Sequence, residues 1–184
     1  MSRGRWLALL AVIALGVALV VSRLGDKVIT EVTLPLRHDN VIREQAARFD
    51  LDAALIAAVI NAESGFADQT SSAGARGLMQ ITPDTADTIE RLSGGETFTY
   101  DDLADPELNI RYGSYYLNHL LDLYGGNEVA ALAAYNGGPG NVDVWGGAEL
   151  EVEDIEFPET HAYVEQVLEK REQYRDNYAE DLGL

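Results

Sequence analysis

The stretch Val59–Gln80, VINAESGFADQTSSAGARGLMQ, decides how this chain is read. It places one carboxylate, Glu63, at the C-terminal end of an apolar helix, next to Ala57, Ala58, Val59, Ile60 and Ala62. A polar loop with glycines follows, and then the short motif Gly77-Leu78-Met79-Gln80. A carboxyl group in apolar surroundings loses hydration when it ionises, so its pKa rises. A carboxylic acid that keeps its proton near neutral pH is what a general acid requires. The plain alternative is a helix that ends in a solvated glutamate beside Ser64 and Gly65.

Start and stop signals outward from this stretch predict helices on both sides. Asp39 or Asn40 is expected to cap a helix that places Val41, Ile42, Ala46 and Phe49 on one face, and Asp50 or Asp52 to cap the Glu63 helix. Thr82-Pro83-Asp84 supplies a capping hydroxyl, a proline and an early acid, and this helix should end near Leu92. Asp105-Pro106-Glu107 repeats the signal and opens what reads as the longest soluble helix, with Leu108, Tyr112 and Tyr115 on one side and Leu117, Leu120, Leu121 and Tyr124 on another. Gly125-Gly126 stops it. Asn127 caps a short apolar helix that runs into a loop over 136–140. After an acidic connector at 147–157, a last helix starts at Pro158. No alternating strand pattern can build a sheet, so the fold class is all-α, with at most a small irregular hairpin.

The N-terminus reads differently. Arg3 and Arg5 precede an uncharged run, and residues 6–22 are long enough to span a membrane at the short end of the range. No small-residue cleavage site follows, which favours an uncleaved anchor over a signal peptide that is removed before secretion. The expected organisation is an anchor over 1–25, a short extended linker over 26–37, a catalytic domain over 38–178 and a tail over 179–184. Beyond residue 25 ten basic residues face 31 acids, a charge of −21. So acidic a domain is a poor partner for nucleic acid or anionic headgroups. There is no cysteine, and His38, His119 and His161 lie far apart, so no metal or cofactor is expected. Gly137-Gly138-Pro139-Gly140 lacks the lysine and hydroxyl residue of a phosphate loop.

Polar and aromatic residues remain at the ends of apolar helices: Glu63-Ser64, Met79-Gln80, Tyr135-Asn136 and Tyr163. Together they imply a groove suited to sugars, which present apolar faces and hydroxyl edges. Five ordered motifs carry a family resemblance: Glu63-Ser64-Gly65-Phe66; Gly74 to Pro83; Asp105-Pro106-x-x-Asn109-Ile110; Ala133 to Val142; and Glu159-Thr160-x-x-Tyr163-Val164. Over roughly residues 36–175 the chain resembles the lytic transglycosylase domain of the soluble-lytic-transglycosylase type, on the goose-type branch of the lysozyme-like fold. The resemblance implies cleavage of the β-1,4 bond between N-acetylmuramic acid and N-acetylglucosamine in peptidoglycan, with glycan strands as the partner and a 1,6-anhydromuramoyl product. It implies Glu63 as sole catalytic acid/base. Ser64, Met79, Gln80, Tyr135, Asn136 and Tyr163 match positions that line the groove or orient the acid. A hydrolytic muramidase on the same fold and a non-catalytic peptidoglycan-binding module are the alternatives. A monomer in the cell envelope is expected, tethered to the cytoplasmic membrane through residues 6–22 with its domain outside.

Overall fold

The computed structural model describes residues 31–93 and 98–184. The chain divides into two compact units, Met1–Pro35 and Leu36–Leu184, and every element named below belongs to the second. The expected membrane anchor lies outside the described residues. Among the described residues, no helix is long and apolar enough to cross a membrane.

The fold is all-α, and no strand occurs among the described residues. Among the described residues of the second unit seven α-helices follow one another: α1 Asp39–Phe49, α2 Ala53–Ser64, α3 Pro83–Leu92, α4 Pro106–Leu123, α5 Glu128–Gly137, α6 Pro139–Trp145 and α7 Pro158–Leu182. Short 3-10 turns at Tyr100–Ala104, Gly147–Glu149 and Val152–Asp154 join them. Among the described residues, the only pairing resembling a hairpin is at Arg76, which forms isolated bridges to Thr70 and Ile81.

The sequence explains the layering. Helices α2 and α5 are apolar all round, so they can be stable only when enclosed. All eight residues from Ala53 to Ile60 are buried, as are Ala130 to Ala134. Full burial of each valine, leucine or isoleucine contributes roughly 2 kcal/mol, which makes these two helices the centre of the core. Helix α7 lies along α2; Phe66 and Tyr174 pack with ring centroids 6.3 Å apart, and the Asn61 amide donates to the Tyr174 hydroxyl. Apart from Glu128 at the start of α5, which pairs with Arg171, the polar groups of α2 and α5 lie at their C-terminal ends, where Glu63 and Asn136 stand.

Caps follow the sequence signals with one exception. Asp52 accepts from the Ala54 amide, Thr82 from Thr85, Asp105 from Glu107 and Leu108, and Asn127 from Ala130. For α1, neither Asp39 nor Asn40 is the cap. His38 occupies that position in a left-handed conformation, and Asp39, already inside the helix, pairs with Arg43 at 2.6 Å.

Five further expectations are corrected. Among the described residues the longest helix is α7, with 25 residues against 18 in α4. No proline or glycine interrupts α7 between Pro158 and Gly183, so it continues through 179–182 past a local irregularity at Tyr178, and Leu182 is buried. The loop at 136–140 is instead a sharp turn at Gly138 (φ 88°, ψ 143°), after which Pro139 starts α6, where its fixed φ suits the first helical position. In α4, Asn109 and Tyr116 are buried, whereas Tyr115 is only partly so. In the first unit, residues 31–33, part of the linker expected to be extended over 26–37, are helical, since strand propensity yields readily to context.

Candidate active site

Glu63 is the last residue but one of α2, which ends because Gly65 adopts a left-handed conformation (φ 59°). Its carboxyl group borders a cleft of about 320 Å³, together with Gln80, Tyr116, Tyr135, Asn136 and Glu159 and the small side chains Ala73, Ala75, Thr82 and Thr85. A separate cavity of about 230 Å³, lined by Arg48, Phe49, Arg111, Tyr112 and Tyr115 among others, shares no residue with this cleft and has no acid among the described residues that line it.

The segment facing Glu63 is held from behind by one buried amide. Asn109, fully buried on α4, donates to the carbonyls of Arg76 (2.9 Å) and Leu103 (3.0 Å) and accepts from the Met79 amide (2.7 Å). Gly77 must be glycine here. Its φ is +74°, and a Cβ would lie 2.3 Å from the Asn109 Nδ2 and 2.6 Å from the Leu103 carbonyl. Ser64 Oγ is 2.7 Å from the Leu78 carbonyl and 3.1 Å from that of Ile60, and so ties the end of α2 to the same segment. Gln80 is held at φ +46° with its Nε2 donating to Gly77 O and Gln69 O. A left-handed conformation at a residue other than glycine stores strain, and it persists only where surrounding contacts enforce it.

Met79 contributes through its backbone. Its side chain is fully buried against Gly113, while its carbonyl accepts from the Tyr135 hydroxyl at 2.9 Å. Tyr135 and Tyr116 pack with centroids 5.8 Å apart and form an aromatic wall. Asn136 accepts from the Thr160 hydroxyl at 2.8 Å, so α7 fixes its side chain.

Burial drives the electrostatics. Loss of hydration raises the Glu63 pKa from an ordinary 4.5 to about 7, and the Tyr163 hydroxyl partly opposes this. That hydroxyl is buried, has no partner in strict hydrogen-bond geometry and faces the Glu63 carboxyl, whose ionised form it favours. Tyr135 and Tyr163 are themselves pushed well above the ordinary phenol range, first by burial and then by the Glu63 charge. Both therefore stay neutral donors. At neutral pH Glu63 is poised between its acid and its base forms. Among the described residues no cluster of histidine and acid side chains could hold a metal ion.

Of the residues singled out in the sequence, Glu63, Gln80, Tyr135 and Asn136 line the cleft and Tyr163 lies against Glu63. Ser64 and Met79 do not line it; they support it from behind. Sequence reading assigned no place in the cleft to Tyr116 and Glu159, and gave Asn109 no role. Tyr116 could have been found from its register with the buried residues Asn109, Tyr112 and Leu120.

Residues 40–157 match the family model described as the transglycosylase SLT domain. The chain belongs to that family. This SLT domain is 34% identical over 167 residues to the soluble lytic murein transglycosylase of Escherichia coli K12, covering 86% of this chain and 26% of the relative. It is 35% identical over 114 residues to the membrane-bound lytic murein transglycosylase C of Yersinia pestis, covering 55% of this chain and 31% of the relative. Among solved structures it is similar to an inactive mutant of lytic transglycosylase Slt from Pseudomonas aeruginosa (TM-score 0.74, 34% identity), over 80% of this chain and 25% of that one. It is also similar to the 70-kDa soluble lytic transglycosylase in complex with bulgecin A (TM-score 0.73, 32% identity), over 78% and 25% of the two chains. The chain thus spans about a quarter to a third of the length of these relatives. The SLT domain has the lysozyme-like helical fold expected of it.

Proposed function

We propose that this chain is a peptidoglycan lytic transglycosylase, a carbon-oxygen lyase that cleaves the β-1,4 bond between N-acetylmuramic acid and N-acetylglucosamine without water. The observation that carries this reading is Glu63: one carboxyl group, largely desolvated, with a pKa of about 7, at the wall of a cleft lined by tyrosines and amides. Membership of the SLT family and relatives named lytic murein transglycosylases support it. The Pseudomonas aeruginosa relative was solved as an inactive mutant with a single Glu-to-Gln change.

The chemistry balances with one acid. Protonated Glu63 donates to the glycosidic oxygen as the bond to the anomeric carbon breaks, and the N-acetyl group of the muramoyl residue stabilises the positive centre. Ionised Glu63 then takes the proton of that sugar's C6 hydroxyl while its oxygen closes on the anomeric carbon. The products are a free N-acetylglucosamine end and a 1,6-anhydromuramoyl end, and Glu63 regains its proton. Attack from within the same sugar benefits from a large effective molarity. Gln80, Asn136, Tyr116 and Tyr135 bind and orient the strand; Ser64, Met79 and Tyr163 position the acid and its facing segment.

Glu159 favours a second reading. It brings another carboxylate to the cleft, and a carboxylate that activates water would make the enzyme a hydrolytic muramidase. Mass spectrometry of muropeptides released from purified peptidoglycan by the full-length protein separates the two. Products lighter by one water support the transglycosylase, and ordinary reducing ends support the muramidase.

The proposed location is the outer face of the cytoplasmic membrane, through residues 6–22. Their uncharged sequence and the arginines before them support this. Full-length protein should remain with membranes through a high-salt and carbonate wash; recovery in the soluble fraction overturns the anchor.

A further inference from the structure

We propose that Phe157 and Trp145 form an aromatic subsite that extends the cleft beyond Asn136 and Glu159 and holds a further sugar of the glycan strand. The inference rests on the glycan reading above. Phe157 is the residue before α7 and is 45% exposed, unusual for a phenylalanine in a domain with a well-filled core. Its ring meets that of Trp145, the half-buried last residue of α6, edge to face at 4.8 Å. The pair adjoins cleft residues on both of the helices that follow it or precede it, α7 and α5. On α7, Glu159 lines the cleft two residues after Phe157, and Thr160 donates to Asn136. On α5, Asn136 lines the cleft, and a Cβ at the next residue, Gly137, would lie 3.0 Å from the Thr160 hydroxyl and 3.5 Å from the Trp145 ring. Gly137, the residue after Asn136, thus packs against both Thr160 and the Trp145 ring, which puts the aromatic pair next to the end of the cleft.

The chemistry of this patch selects the occupant. Ring faces and edges take the apolar C–H faces of pyranose rings, and here they adjoin the amide and carboxylate that take hydroxyls. A lipid surface is the poorer match, because the chain carries a net charge of −18 and the flanking positions Glu156 and Glu159 are both acidic and exposed. The pair must add affinity mainly for strands long enough to reach past the scissile sugars.

The test uses the full-length protein in detergent, made inactive by Glu63→Gln and carrying Trp6→Phe. The chain has only two tryptophans, so Trp145 then reports alone. Peptide-free glycan strands and a short chitooligosaccharide are titrated, following Trp145 emission and, independently, co-sedimentation with insoluble peptidoglycan. The expected result is a shift in Trp145 emission on strand binding. Phe157→Leu, which keeps the apolar volume but removes the ring, should weaken strand binding about threefold to tenfold and the short sugar less, while Phe157→Tyr restores it. Equal thermal melting of the variants excludes a folding defect. If strands bind but Trp145 emission is unmoved and Phe157→Leu binds as its parent does, the subsite is overturned and the glycan reading stands. If no variant binds glycan by either method, both fall. If Phe157→Leu instead reduces flotation with vesicles of phosphatidylcholine and phosphatidylglycerol, the patch serves the membrane and the proposal is overturned.

Discussion

Glu63 and Glu159 border the same cleft from opposite kinds of helix end. Glu63 closes an enclosed helix whose preceding residues are apolar, so its carboxyl group loses water and holds its proton to about pH 7. Its position near the negative end of the helix dipole also disfavours ionisation. Glu159 stands in the first exposed turn of α7, where acids are commonly found and water reaches them. The same side chain thus meets two environments within one cleft. What distinguishes an acid catalyst from an ordinary surface glutamate is the helix beneath it.

The sharpest way to break this contrast is to neutralise each acid in turn. Glu63→Gln is expected to lower turnover of peptidoglycan by on the order of a hundredfold to ten-thousandfold. Glu159→Gln should lose less than about tenfold. Equal losses would make the two carboxylates partners and return the muramidase reading.

The support behind Glu63 comes next. Asn109→Ala removes three buried hydrogen bonds and leaves the Met79 amide and the Leu103 carbonyl without partners, while the Arg76 carbonyl keeps only the Ile81 amide, so a loss of roughly 3 kcal/mol is expected in denaturant unfolding. Gly77→Ala should be comparably damaging, since it meets both a strained φ and the same amide. A loss below about 1 kcal/mol in both variants would show that the facing segment is not held this way.

Burial of Glu63 also predicts a stability that depends on pH. Its folded-state pKa lies above that of the free carboxyl, so the native protein holds a proton that the unfolded chain releases. Stability should fall as pH rises from 4.5 to 7, with the full penalty, about 3 kcal/mol, present above 7. Glu63→Gln should therefore raise the melting temperature at pH 8 and change it little at pH 4.5. An increase of the same size at both pH values would place the carboxyl in water.

The smallest effect expected is that of Tyr163→Phe. The hydroxyl favours ionised Glu63, so its removal should move the basic limb of the kcat/KM profile from near pH 7 to higher pH. A shift to lower pH would contradict the stated role.

Much of this was legible in the sequence because it depends on neighbours in the chain. Capping residues at Asp52, Thr82, Asp105 and Asn127 fixed four helix starts, and the apolar run before Glu63 was enough to predict a raised pKa. Less legible was whatever depends on residues that meet only in the folded chain. Asn109 reads as an ordinary polar residue in a helix until the carbonyls of Arg76 and Leu103 are seen around it. Glu159 reads as an ordinary acid in the first turn of the last helix until the fold brings it to the same cleft as Asn136. Helix α6 was hidden because Gly138 and Gly140 look like loop residues, although Pro139 between them is a good helix start.

The most direct test of the central claim is the pH dependence of product formation, with products identified by mass. Full-length protein acting on purified peptidoglycan should release muropeptides lighter by one water than hydrolysed ones, with kcat/KM falling as pH rises through about 7. Hydrolysed reducing ends, or activity that increases through pH 7 and persists in Glu63→Gln, would contradict a single buried acid that works on both halves of the reaction.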